Sequence, residues 1–134
     1  MDSQMQQHIE EDRRLNQIIA DGLEEDGLGE YAWDLERWQR GRHPFQFDRP
    51  EHVFPAAGVW MAKHGYSLEL IPPQVDKGPW TAIFGHPEKP SHTGTSVWPE
   101  EMPDAVRRAL AAAVLAERGV GESGQDSRDD RKGR

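Results

Sequence analysis

Apolar residues recur at helical spacing near the start of the chain. Ile18 and Ile19 follow Leu15 by three and four positions, with polar residues between them. This is the pattern of an amphipathic helix with one buried face. Glycine is common just beyond the end of a helix, and glycines stand at positions 22, 27 and 29. We therefore expect the first helix to end near Gly22.

A second helix is predicted over about 30–40. Tyr31, Leu35 and Trp38 are separated by four and three residues, which places them on one stripe of a helix. Trp33 is two positions from Tyr31, about 200° around such a helix. It therefore packs against another element or lies at the surface.

From residue 53 onward the pattern changes to helix, strand, strand, strand, helix. A helix over about 53–64 is followed by Gly65, which is predicted to terminate it in a left-handed conformation. Three short segments with strand patterns come next. The last helix is the clearest element, because apolar residues recur at three- and four-residue spacing over 102–114. Asp104 and Arg108 are four residues apart in it, which predicts an ion pair. The short connections between the strands favour an antiparallel meander. The predicted fold class is α+β, with a three-stranded antiparallel sheet in an α-β-β-β-α core and additional N-terminal helices.

Composition divides the chain into three parts. Residues 1–40 are predicted to form acidic N-terminal helices, residues 41–119 the core domain, and residues 120–134 a disordered tail with little apolar surface to bury. The first part holds 11 acidic and 4 basic residues, whereas residues 41–120 hold 9 and 8, so most of the net charge of −8 belongs to the first part. Such a charge repels nucleic acid and anionic membranes and attracts a basic partner.

No pattern for catalysis, a cofactor or a metal stands out. The chain has no cysteine, which removes thiolate zinc sites and cysteine nucleophiles. His86 and His92 share a proline-bearing loop with Glu88, but a zinc site needs three or four converging ligands. We therefore predict no catalytic residue, no cofactor and no metal. No apolar run approaches the roughly 20 residues that span a bilayer, and the expected location is cytoplasmic.

The order of features over 50–119 carries a resemblance to a known family. An alanine-bearing helix with Trp60 is followed by Gly65, then by a strand with the pattern Trp-x-x-x-Phe from Trp80 to Phe84, then by an alanine-rich helix led by Pro103. This stretch resembles the phage ABA sandwich domain family of small, uncharacterised phage and prophage proteins. The resemblance implies a phage or prophage origin and supplies no functional residues.

The order α-β-β-β-α is also that of double-stranded RNA-binding domains. Those domains bind phosphate with basic residues at the start of the last helix. A nucleic-acid-binding module is therefore the alternative hypothesis, and it would use Lys63, Arg107, Arg108 and Arg118. Three acidic residues at 100, 101 and 104 precede two of these arginines, which disfavours nucleic acid as the ligand.

The leading hypothesis is a non-enzymatic phage accessory protein that binds another protein, with a basic host protein as the expected partner. Five tryptophans in 134 residues are many, and aromatics left at a surface are typical of interfaces. The sequence leaves open the oligomeric state and whether residues 1–40 pack on the core. An enzyme would require a concave site that joins His64, His86 or His92 to a carboxylate. The candidate binding residues are three aromatic anchors and five steering acids: Trp33, Trp38, Phe45, Glu24, Glu25, Asp26, Glu30 and Asp34.

Overall fold

The computed structural model describes residues 2–34, 43–96 and 101–119. The predicted α+β class is confirmed, with three helices and one three-stranded antiparallel sheet in the described residues. The predicted tail over 120–134 and most of the predicted second helix lie outside the described residues. In chain order the elements are α1 (Asp2–Glu25), a 3₁₀ turn (Gly29–Tyr31), α2 (Pro50–His64), β1 (Ser67–Ile71), β2 (Thr81–Gly85), β3 (His92–Thr95) and α3 (Met102–Glu117).

The sheet is the predicted meander, in the order β1-β2-β3. Leu68 is paired with Phe84, and Ala82 is paired with Gly94. Ala82 and Phe84 are fully buried, whereas Thr93 on the opposite face of the sheet is exposed. The alternation of the strands therefore directs one face toward the helices, as the sequence pattern predicts.

Helix α3 lies directly against the sheet at Gly94. A Cβ atom at this position would stand 2.3 Å from the backbone nitrogen of Ala109 and 2.5 Å from the carbonyl oxygen of Ala105. The facing side of α3 is rich in alanine, and Ala105, Ala109 and Ala113 are fully buried. Small residues on both sides thus allow the backbones of β3 and α3 to approach closely.

The prediction that the first helix ends near Gly22 is wrong. Helix α1 continues to Glu25, and the chain turns where Gly27 adopts a left-handed conformation with φ of 77°. Gly22 is buried, and a Cβ there would lie 2.3 Å from Cγ1 of Val114 on α3. This glycine therefore marks a close approach of α1 to α3 and not a helix end.

Helix α2 begins three residues before the predicted start, at Pro50. The preceding residue, Arg49, has an extended backbone, and proline fits the first position of a helix because it lacks the N–H that would have no partner there. At the other end Gly65 has φ of 78° and donates its N–H to the carbonyl of Met61. The predicted role of Gly65 as the terminator of this helix is confirmed.

One hydrophobic core joins all of these elements. Trp60 of α2 is 1% exposed, and its ring lies 6.2 Å from that of Phe84 and 5.0 Å from that of Tyr66. Ile19 and Leu23 of α1 are fully buried in the same core. In this structure the first helix therefore shares one core with α2, the sheet and α3.

Candidate functional site

Three acidic residues of α1 form ion pairs with Arg107 and Arg108 of α3 and with Arg118, which directly follows α3. Glu11 accepts two hydrogen bonds of 3.0 Å from the guanidinium of Arg108. Near the other end, Glu25 accepts a hydrogen bond of 2.8 Å from Arg118. The pairs advance in the same direction along both helices, so α1 and α3 run parallel. Glu25, one of the five acids that the sequence analysis assigns to an external partner, thus binds an arginine of the same chain.

The third ion pair belongs to a buried network at the α1–α3 interface. Arg107 is 3% exposed and donates hydrogen bonds to Asp104 of α3 and to Asp12 of α1. Asp104 is equally buried and also accepts a 3.0 Å hydrogen bond from Arg108, as the four-residue spacing predicts. The Nε atom of Arg107 is buried and has no hydrogen-bond partner in the described residues. Asp104 is therefore the carboxylate that compensates most of the buried charge.

A second polar cluster joins the carboxyl ends of the three helices. Nε2 of His64 lies 2.6 Å from Oδ2 of Asp26, and its Nδ1 lies 3.5 Å from Oε1 of Glu117. The other oxygen of Glu117 accepts hydrogen bonds from the Tyr66 hydroxyl at 2.7 Å and from Lys89 at 2.8 Å. A cavity of about 80 Å³ borders His64 and Glu117. His64 is thus joined to carboxylates, the arrangement that the enzyme hypothesis requires.

The polar atoms of this cluster are engaged with one another. Both nitrogens of His64 face carboxylates, and both oxygens of Glu117 have partners. Burial and the hydrogen bond to Glu117 raise the pKa of Tyr66, so the phenol stays protonated. Within the described residues no group of three or more His, Asp or Glu side chains can hold a metal ion. What the cluster does in this geometry is hold the helix ends together.

Acid is expected to destabilise the fold, because the pKa values of His92, Glu117 and Glu11 are lower than in free residues. Burial lowers the pKa of His92 from 6.5, so the folded protein begins to lose stability as the pH falls below that value. Burial opposes ionisation of Glu117, but hydrogen bonds from Lys89 and Tyr66 outweigh it, and Arg108 lowers the pKa of Glu11. Each of these carboxylates stabilises the fold while it is ionised. That stability is lost as the pH falls below 4.5 and passes through the lowered pKa of the carboxylate in the folded protein.

Melting temperature measured from pH 7.5 to pH 3.5 checks this expectation. We expect a first decline below about pH 6.5 and a steeper one below about pH 4.5. The His92→Gln variant should lack the first decline and keep the second. A melting temperature that is constant or rises between pH 7 and pH 5.5 would contradict the burial of His92.

The predicted aromatic anchors differ in how far the structure buries them. Trp33 is 6% exposed and belongs to the core, so it is not a surface anchor, which corrects the sequence-based assignment. Phe45 is half-buried, and its ring stacks on that of His52 at 4.5 Å. Trp38 lies outside the described residues. Burial of Trp33 is consistent with the backbone bridge between Trp33 and Pro44.

The five predicted steering acids also separate into two groups. Glu25 forms an ion pair with Arg118, and Asp26 lies 2.6 Å from Nε2 of His64, so both acids are engaged within the chain. Glu24 and Glu30 are exposed, and Asp34 is half-buried. The exposed acids therefore lie at and just beyond the carboxyl end of α1.

A groove runs along the opposite half of α1 and has a volume of about 560 Å³. We call it the α1 groove. Its second wall is the stretch 43–48, which includes Gln46 and Asp48. The backbone N–H of Phe47 donates a 3.1 Å hydrogen bond to Oδ1 of Asn16, which ties the two walls together. The α1 wall consists of Ile9, Asp12, Arg13, Asn16 and Gln17.

Sequence reasoning missed the α1 groove. Asp12 and Asn16 stand one turn apart and precede Ile19 on the same side of the helix, where an amphipathic helix carries apolar residues. Polar residues on a core-facing stripe are the signal that could have indicated a polar contact at this point. The part played by 43–48 could not be read from the sequence, because pairing of that stretch with α1 is a long-range contact.

Comparison with known proteins adds no relative. No family model, curated protein or solved structure matches the chain. Among the described residues, no helix is both long and apolar enough to cross a membrane. Any assignment of function therefore depends on the geometry of the chain itself.

Proposed function

We propose that this is a non-enzymatic accessory protein that acts by binding another protein, and that the α1 groove forms part of the contact. The observation that carries the proposal is the groove itself, which has a volume of about 560 Å³ and is lined mainly by polar and charged side chains of two distant segments. The side chains of Gln46 and Asp48 and the amide nitrogen of Asn16 have no hydrogen-bond partner in the described residues. These groups can therefore bind a partner without breaking an existing contact.

The exposed acids at the other end of α1 add long-range attraction to this contact. Glu24 and Glu30 are exposed, and the chain as a whole carries a net charge of −8. Charges of this kind raise the rate of association with a basic surface. A basic host protein in the cytoplasm of the infected cell is the partner we propose, and the resemblance to the phage ABA sandwich family supports a phage or prophage origin.

Nucleic acid is the weaker candidate ligand. Arg107 is buried, and Arg108 and Arg118 are each paired with a carboxylate of α1. An arginine that is already neutralised adds little to phosphate binding, which depends on uncompensated positive charge. Lys63 is exposed on α2, but a single lysine makes a poor phosphate site.

Site-specific photo-cross-linking in cells of the native host tests the proposal. Full-length protein with p-benzoylphenylalanine in place of the exposed Gln46 is compared with protein that carries the same group in place of the exposed Ala62 on α2. We expect a discrete adduct from position 46 that is absent from position 62. The adduct should weaken when Ile9→Lys is introduced at the groove wall, because this change removes apolar surface and repels a basic partner. No adduct at position 46, or the same adducts at both positions, would refute protein binding through the α1 groove.

A further inference from the structure

The two walls of the α1 groove each carry a carboxylate. Asp12 is on α1, and its side chain remains 50% exposed although one oxygen accepts a hydrogen bond from Arg107. Asp48 is on the stretch 43–48 and forms no ion pair with the described residues. Asp12 belongs to a network in which three carboxylates face the two guanidiniums of Arg107 and Arg108, so one negative charge is left over on this wall. A cation between the walls would therefore meet negative charge from both sides. Arg13 lies on the α1 wall as well, but its side chain is exposed and long enough to extend into solvent.

The groove also offers amide groups that match a peptide backbone. Oδ1 of Asn16 is occupied by the N–H of Phe47, which fixes the orientation of the amide and leaves its NH₂ group without a protein partner in the described residues. Gln46 on the other wall has both amide atoms available. An extended peptide presents N–H and C=O groups alternately along its edges, so side-chain amides can bind it without regard to its sequence.

The length of the groove suits a short segment of chain. From Ile9 to Gln17 the helix rises about 12 Å, which corresponds to about four residues of extended peptide. Ile9 is 40% exposed and provides an apolar surface for the aliphatic part of a long side chain. Lysine and arginine combine an aliphatic stem with a terminal cation. The stem can pack on Ile9 while the cation lies near the two carboxylates.

We infer that the α1 groove binds an extended segment of the partner protein that bears lysine or arginine. This inference depends on the proposed function and specifies the chemistry of its ligand. The amides of Asn16 and Gln46 hold the backbone of the segment, and Asp12 and Asp48 hold its cation. The partner is thus recognised by a basic, unfolded or terminal stretch and not by a folded surface alone.

Titration of the ¹⁵N-labelled full chain with synthetic hexapeptides tests this inference. The probes are Ala-Lys-Ala-Arg-Ala-Lys and its acidic counterpart Ala-Glu-Ala-Glu-Ala-Glu. We expect the basic peptide to shift the side-chain NH₂ signals of Asn16 and Gln46 and the acidic peptide to leave them unchanged. Asp48→Asn should weaken binding about fivefold, as the loss of one partly exposed charge pair implies. Asp76→Asn, which removes an exposed acid from the β1–β2 connection, should weaken it less than about twofold.

Three results would overturn the inference. They are the absence of shifts at Asn16 and Gln46, equal binding of the acidic peptide, and equal weakening by Asp48→Asn and Asp76→Asn. The last result would mean that only the net charge of the protein attracts the peptide. A specific photo-adduct at position 46 together with any of these results would reject the basic segment while protein binding through the groove stands. Loss of that adduct would reject both.

Discussion

The Gly94→Ala variant is expected to lose about 3 kcal/mol of unfolding free energy. The added methyl group would lie 2.3 Å and 2.5 Å from backbone atoms of Ala109 and Ala105. These atoms belong to the hydrogen-bonded backbone of α3 and cannot rotate away as a side chain can. The helix must therefore move off the sheet, which opens the core near Ala82 and Phe84. Urea unfolding of the full chain measures the change.

Gly58→Ala provides the matched control for this measurement. Gly58 is in α2, is exposed and would have no atom within 4 Å of an added Cβ. Because alanine favours the helix over glycine, this variant should gain roughly 0.5–1 kcal/mol. Equal stability of the two variants would contradict the close contact between β3 and α3.

The Asp104→Ala variant is expected to lose about 3–5 kcal/mol, as is typical when one partner of a buried ion pair is removed. Arg107 would remain 97% buried with only the half-exposed Asp12 as its charge partner, since its own side chain is 3% exposed. Nε of Arg107 already lacks a hydrogen-bond partner in the described residues. The buried guanidinium therefore has no additional acceptor that could replace Asp104.

Two further variants separate buried charge from general disruption. The double variant Asp104→Leu with Arg107→Met removes both charges and should recover much of the loss. Glu25→Gln breaks the exposed pair with Arg118 and should cost less than about 1 kcal/mol. If the double variant were less stable than Asp104→Ala alone, the ion pair itself would be a source of net stability. The loss in Asp104→Ala would then not come from an uncompensated charge on Arg107.

The ion pairs between α1 and α3 change the meaning of the acidic composition. The first third of the chain attracts attention because of its 11 acidic residues, and four of them bind groups on α2 and α3. Glu11, Asp12 and Glu25 pair with arginines, and Asp26 pairs with His64. Part of the charge that looked like a signal for an external partner therefore attaches the first helix to its own domain.

Local patterns in the sequence predicted much of the fold correctly. The meander, the left-handed Gly65 and the pairing of Asp104 with Arg108 all depend on residues near one another in the chain, where spacing determines geometry. Gly22 was misread because a glycine that permits close packing looks the same in sequence as one that ends a helix. Only the position of Val114, 92 residues later, distinguishes the two cases.

The candidate site was less predictable than the fold, because it depends on contacts between residues that are far apart in the sequence. Trp33 is buried because the chain near 44 returns to form a bridge with it, and periodicity within 30–40 contains no information about that return. The α1 groove likewise exists because the amide of Asn16 binds the backbone of Phe47, 31 positions away. Surfaces formed by two distant segments require the tertiary structure.

Both proposals require α1 to be a fixed wall of the groove. Hydrogen exchange of the full-length protein, read at individual amides, measures this directly. We expect amides between Leu15 and Leu23 to exchange as slowly as those of β2, because both segments are buried in one core and open only by global unfolding. Exchange of these α1 amides many times faster than those of β2 would show that the helix detaches while the sheet stays folded, which contradicts a permanent groove.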